Sequence, residues 1–233
     1  MRNRPIPNLA EAQKAYVRDL VLYEDEFVLA FNKPSGLAVQ TRGNRGTSLD
    51  HLLWAFARSN GKRPHLVHRI DAGTSGLILA AKTKPAMAAL SAEFAERRVQ
   101  KTYLALVSGN LPKDSQGRID LPLQKTGRSV VPGKIEQGAD AATTNWTVLK
   151  RHAETALIEA RPMTGRMHQI RAHLAALGCP ILGDVIYGAG KDTASRLMLH
   201  AAGLKLARPD GQELMLAAPA PEGFVEKQVE LGL

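Results

Sequence analysis

A carboxylate held on a loop and faced by a cation can act as a nucleophile or a general base. The stretch His68-Arg69-Ile70-Asp71-Ala72-Gly73-Thr74-Ser75-Gly76 has the parts for that. Asp71 supplies the carboxylate, and the glycines allow a ligand to come close. Thr74 and Ser75 can bond nearby backbone and fix the loop. A plain turn with a capping Asp uses the same residue types. A second stretch runs from Thr164 to His173 as Thr-Gly-Arg-Met-His-Gln-Ile-Arg-Ala-His. Arg171 adjoins the apolar positions Ile170 and Leu174, so its stem is expected to be partly buried and its guanidinium to need an anionic partner. A solvated basic helix face is the alternative. A third stretch, Lys101 to Val107, puts Tyr103 on one strand face with Lys101 and Ala105. Tyr103 there is either a stacking platform for a flat ring or an ordinary core residue. Zinc fits poorly: His168 and His173 are not at the i, i+4 spacing, and Cys179 is the single cysteine.

These stretches need elements to hold them. Phe27 to Phe31 reads as a buried strand, Asn32-Lys33-Pro34-Ser35-Gly36 as a turn, and Leu37 to Val39 as a continuing strand. Gly43-Asn44-Arg45-Gly46 reads as a basic loop, with Thr47 or Ser48 capping a helix whose apolar face is Leu49, Leu52, Leu53 and Phe56. The active loop, from His65 to Gly76, feeds a buried strand from Leu77 to Ala81. Pro85 opens a helix with the stripe Met87, Leu90 and Phe94. Gln100 to Val107 is a strand, and the polar, Gly- and Lys-rich run from 110 to 139 reads as hairpin loops. Two more strands are expected around Ala142 to Val148 and Thr155 to Arg161. Thr164 is expected to cap a helix that Gly178 stops. Leu204 to Ala207 and Glu213 to Ala217 close the set. Mixed strands with a few helices mean an α+β chain. Residues 1–16 read as a patternless extension and residues 17–233 as one domain.

Charge narrows the partner. The 233-residue chain carries 31 Lys and Arg against 22 Asp and Glu, a formal +9, which favours polyanions, nucleic acid above all. At 44% hydrophobic residues it is globular. No apolar run spans a bilayer, no signal-peptide core follows Met1 to Pro7, and one cysteine suits a reducing compartment. The expected location is the cytoplasm, with no membrane partner, and the expected state is a monomer.

In order along the chain, KPSGLAV (33–39), LVHRIDAGTSGLILAAKT (66–83), KTYLALV (101–107), TGRMHQIRAHLAALGCPILGD (164–184) and LMLHA (197–201) together resemble the RluA-type family of pseudouridine synthases. The resemblance covers roughly residues 20 to 220. Ile70 stands where Leu is common, Met167 where Thr or Ser is frequent, and Cys179 where His is frequent. The resemblance implies a mixed, mostly antiparallel sheet with flanking helices and a central cleft. No separate amino-terminal RNA-binding module is expected, because too little chain precedes residue 20. It makes Asp71 the catalytic carboxylate, Tyr103 the active-site tyrosine and Arg171 the partner of Asp71. It points to Arg69 as the filler of the gap left by a flipped uridine. His68, Thr74, Arg166, His168 and Gln169 are the further expected RNA contacts. No metal and no cofactor is implied. The expected substrate is ribosomal RNA ahead of transfer RNA. The competing reading is a non-catalytic RNA-binding protein on the same scaffold, which would have no need of all three central residues. A base–sugar hydrolase using Asp71 is a third, and it would release free uracil.

Overall fold

Gly76 shows how tightly the centre of the molecule is built. Its φ is +109°, and a Cβ there would sit 2.2 Å from the carbonyl oxygen of Ala201. Only glycine lets two strands meet in this way. A computed structural model of the protein describes residues 7–41, 47–188, 190 and 193–233. The elements, in order, are α1 (Glu11–Asp19), β1 (Val21–Glu24), β2 (Val28–Lys33), α2 (Leu49–Leu52), β3 (His65–Leu66), β4 (Ser75–Ala81), α3 (Lys84–Ala95), β5 (Gln100–Ser108), β6 (Gln116–Asp120), β7 (Leu123–Thr126), β8 (Ser129–Pro132), β9 (Thr143–His152), β10 (Thr155–Pro162), α4 (Gln169–Ala176), β11 (Leu199–Ala207), β12 (Glu213–Ala217) and α5 (Glu222–Glu230).

The main sheet runs β1-β2-β4-β11-β5-β10-β9-β6, with β12 also on β11 and β3 also on β4. The β4–β11 pair, at His200↔Ser75 and Ala201↔Gly76, is parallel, and the other pairs are antiparallel. This is the mixed, mostly antiparallel α+β architecture expected. The joint between the parallel pair and β5 positions the site. Asp71 precedes β4, and Tyr103 on β5 lies opposite both Ala201 and Ala160.

Each half of the sheet has its own core. β4 is buried along its whole length, as its continuous apolar sequence requires. α3 lays Ala86 and Leu90 against it, capped by the Thr83 hydroxyl. Ile170 and Leu174 of α4 and Phe224 of α5 join Ala105, Leu106 and Ile158 in the other half.

Several expectations need correction. α1 begins inside the stretch read as an extension and crosses the 16/17 boundary; among its residues only Val17 is buried, so little apolar pattern announces it. Ser48 caps α2, but the helix passes into a 3-10 turn over Leu53–Phe56. The strand expected at Leu37 to Val39 is reduced to one bridge, Ala38 to Ser48. The basic loop Gly43 to Gly46 lies outside the described residues. The polar run 110–139 contains β6 and a separate β7–β8 hairpin. Thr164 does not cap α4: its hydroxyl donates to Gln169 Oε1 at 2.7 Å and accepts from the Thr143 amide at 3.0 Å. The residue before the helix is His168, in a left-handed conformation at φ +51°. Gly178 ends the helix region at φ +91°, as expected. Among the described residues no helix is long and apolar enough to cross a membrane.

Candidate active site

The loop that carries Asp71 is fixed from below by the KPSG turn. Lys33 is fully buried, and its Nζ donates to the carbonyls of Pro34 at 2.9 Å, Leu37 at 2.8 Å and Ala72 at 3.0 Å. Burial pushes this ammonium down to about 8, against the pull of the Asp71 charge. Ser35 Oγ donates to the Gly73 carbonyl at 2.7 Å, and the Gly36 amide donates to Ala72 at 2.8 Å. The Thr74 amide closes a turn on the Asp71 carbonyl at 3.1 Å. Asp71 itself keeps 28% of its side chain exposed, so it stays accessible at the end of a rigid loop.

The Asp71 carboxylate faces Arg171. Arg171 Nη1 donates to Asp71 Oδ2 at 3.2 Å. The rest of the guanidinium is taken by Asp184, with Nε to Oδ2 and Nη2 to Oδ1 both at 2.8 Å. Arg171 is 7% and Asp184 1% exposed. Burial pushes the Asp184 carboxyl up, but Arg171 and the Ile186 and Tyr187 amides outweigh it and hold it below the usual range. Two-point binding of a planar fork fixes its orientation. Asp184 therefore aims the remaining Nη1 at Asp71. The Tyr187 ring lies 5.3 Å from the guanidinium carbon, at cation–π distance.

Tyr103 completes the group. Burial raises its phenol well above the usual tyrosine range, and the charge of Asp71 adds to the rise. The hydroxyl is thus held protonated beside an anionic neighbour. The fold brings together Asp71, Tyr103 and Arg171, from a loop, a strand and a helix separated in sequence. An accessible carboxylate, a fixed cation and a phenol at one site can serve nucleophilic or proton-transfer chemistry.

The expected RNA contacts divide. Arg69 is exposed beside Asp71 in the chain. Arg166 is partly exposed, with Nε on the Ala141 carbonyl at 3.1 Å and Nη1 3.2 Å from Asp140. His168 Nε2 lies 3.7 Å from Asp71 Oδ2. Three others are engaged within the protein. His68 accepts the Leu79 amide on Nε2 at 2.9 Å and stacks on Phe94 at 4.4 Å. Thr74 is 1% exposed. Gln169 is 4% exposed and makes four bonds, to Thr164 Oγ1, the Arg166 amide, the Thr143 carbonyl and Thr144 Oγ1. These bonds brace the two motifs.

His68 makes a pH prediction. Burial, with a smaller push from Lys101, drives its imidazole down to about 3. The unfolded chain takes up this proton near 6.5, while the folded protein does not. Stability is therefore complete above pH 6.5 and falls as pH drops from there towards 3. The slope from this group is about 1.4 kcal/mol per pH unit. Urea midpoints measured from pH 7 to pH 5 check it: a midpoint that does not fall over this range contradicts the buried, neutral His68.

Sequence reasoning missed Asp184, Lys33 as a buried brace, and Tyr187. Asp184 stood at the end of the LGD run without a role, because nothing local pairs it with a residue thirteen positions earlier in the chain.

Residues 27–176 match the family model described as RNA pseudouridylate synthase. An RNA pseudouridine synthase of Zymomonas mobilis is 36% identical over 88% of this chain and 95% of its own length. Ribosomal large subunit pseudouridine synthase C of Escherichia coli is 37% identical over 90% of this chain and 69% of its own. The solved structure of human RNA Pseudouridylate Synthase Domain Containing 4 superposes with a TM-score of 0.80, at 27% identity, over 96% of this chain and 98% of that one. The chain belongs to the RNA pseudouridylate synthase family. It is an isomerase that acts on uridine in RNA.

Proposed function

We propose that the chain isomerises a uridine of large-subunit ribosomal RNA, taken into the cleft as a flipped-out nucleotide, with the Asp71 carboxylate as the reacting group. The observation that carries this reading is the Asp71–Arg171–Asp184 line of charges beside Tyr103. The uracil must leave C1′, turn, and rejoin through C5, which a stacked and paired base cannot do. Flipping it out costs a few kcal/mol, and a side chain entering the vacancy offsets part of that. Arg69 is exposed next to Asp71 and suits that task.

Arg171 supplies the counter-charge that lets an anionic Asp71 remain in the cleft once RNA displaces water. Tyr103 offers a ring for the base to stack on and, being protonated, a hydroxyl that can pass a proton as C5 is released. The net charge of +9 favours the phosphate backbone. The ribosomal target is supported by the relatives from Rickettsia bellii, Vibrio vulnificus and Escherichia coli, each named ribosomal large subunit pseudouridine synthase C. Ribosomal RNA and a single free thiol, Cys179, suit the cytoplasm.

The target class is tested by treating unmodified ribosomal and transfer RNA with the purified protein. Pseudouridine is then mapped by carbodiimide adducts that stop reverse transcription. New stops in large-subunit ribosomal RNA are expected. Stops confined to transfer RNA would overturn the ribosomal assignment.

A further inference from the structure

Asp71 is held through one oxygen only. Among the described residues, both groups that approach its carboxylate, Arg171 Nη1 at 3.2 Å and His168 Nε2 at 3.7 Å, address Oδ2. Among the described residues no hydrogen bond reaches Oδ1. The nature of the His168 contact depends on which ring nitrogen carries the proton, and the surroundings decide that.

His168 Nδ1 lies 3.0 Å from the Tyr187 hydroxyl. That hydroxyl already accepts the amide of Val130, on β8, at 2.9 Å. Its own proton has, among the described residues, one acceptor within reach, which is His168 Nδ1. A neutral imidazole that accepts on Nδ1 carries its proton on Nε2. Burial keeps His168 below the ordinary histidine range even though Asp71 pulls the other way; Arg171 adds to the lowering and Asp184 opposes it, so the ring is neutral at pH 7. Tyr187 is itself well fixed: its amide donates to Asp184 Oδ1 at 3.2 Å and its ring lies against Arg171. The backbone of His168 is left-handed at φ +51°, a conformation uncommon outside glycine in which Asn, Asp and His are enriched, and it carries the imidazole between Tyr187 and Asp71.

We propose that His168 is a positioning residue for Asp71: Tyr187 sets its tautomer, and its Nε2–H joins Arg171 in holding Oδ2, so that Oδ1 is the oxygen that reacts. This rests on the reading of Asp71 as the reacting carboxylate. The 3.7 Å separation is longer than a hydrogen bond, as catalytic contacts often are without substrate, and it shortens when RNA closes the cleft. Because the same hydroxyl is bonded to β8, the seating of the β7–β8 hairpin and the tautomer of His168 are linked.

The first test reads the tautomer without RNA, on the full chain labelled with ¹⁵N-histidine. The signal that disappears in His168→Gln is expected to show a protonated Nε2 and a bare Nδ1. In Tyr187→Phe the same ring should become a mixture of tautomers. A proton on Nδ1 in the wild type, or no change in Tyr187→Phe, would overturn the relay.

The second test compares two substitutions in single-turnover assays with saturating RNA. Glutamine places an amide N–H near the position of Nε2, so His168→Gln should keep about a third of the rate. Asparagine reaches only the position of Nδ1, so His168→Asn should lose about tenfold or more, the worth of one hydrogen bond to a charged group. Asparagine is the better residue for a left-handed backbone. If His168 mattered only for its backbone, asparagine would be the more active of the two, and that order would sink the proposal. The outcomes also separate the two readings. An inactive wild type with the Nε2 tautomer in place strikes at the role of Asp71, while the wrong tautomer in an active enzyme strikes at the relay alone.

Discussion

Arg171→Ala is expected to lower the stability of the protein by about 3–5 kcal/mol, the typical cost of removing one partner from a buried ion pair. Asp184 is 1% exposed and, among the described residues, would keep two backbone amides, those of Ile186 and Tyr187, to stabilise its charge. The loss should appear as a lower urea midpoint. Turnover should vanish as well under conditions where the variant is still folded, because Asp71 loses its counter-ion. Arg171→Lys should recover part of the stability and little of the activity. An ammonium is a point charge and cannot hold Asp184 with two parallel bonds while reaching Asp71 with a third. A stable, active Arg171→Ala protein would contradict the whole arrangement of the cleft.

Asp71→Asn is expected to leave stability largely unchanged. The substitution keeps the shape, and Arg171 retains its bidentate partner Asp184, so the fold and RNA binding should be kept. Turnover should fall by about four orders of magnitude or more, the scale seen when a group that makes the covalent or proton-transfer step is removed. The contrast between the two variants is the useful part. The proposed roles predict that Arg171 serves structure and chemistry together and that Asp71, with 28% of its side chain in solvent, serves chemistry.

How far the sequence revealed this depends on where each residue's partner lies. β4 was legible because a strand buried on both faces must be apolar throughout, and Leu77 to Ala81 is. α3 was legible from Pro85 and its stripe. β6 was not, because Gln116, Arg118 and Asp120 face solvent at the edge of the sheet and read as loop. α1 and α5 each bury a single residue, Val17 and Phe224, so they lack the stripe that marks a helix. At the site, Asp71 and Arg171 sit in long distinctive runs, and the need of a buried guanidinium for an anion could be stated in advance. That two anions share it could not, because Asp184 meets Arg171 only after α4 and the following turn have folded. The internal bonds of His68, Thr74 and Gln169 were not legible for a related reason. Their residue types suit RNA, but a motif needs internal struts as much as contacts, and spacing alone does not tell the two apart.

The most direct measurement is release of tritium from RNA labelled at uracil C5, with wild type and Asp71→Asn side by side. Forming the new carbon–carbon bond to the ribose expels the label, so the count follows the isomerisation itself. The expected result is release by the wild type and none above background by Asp71→Asn, with both proteins binding the RNA equally. Release by Asp71→Asn at a rate near that of the wild type would remove the carboxylate from the chemistry and contradict the account.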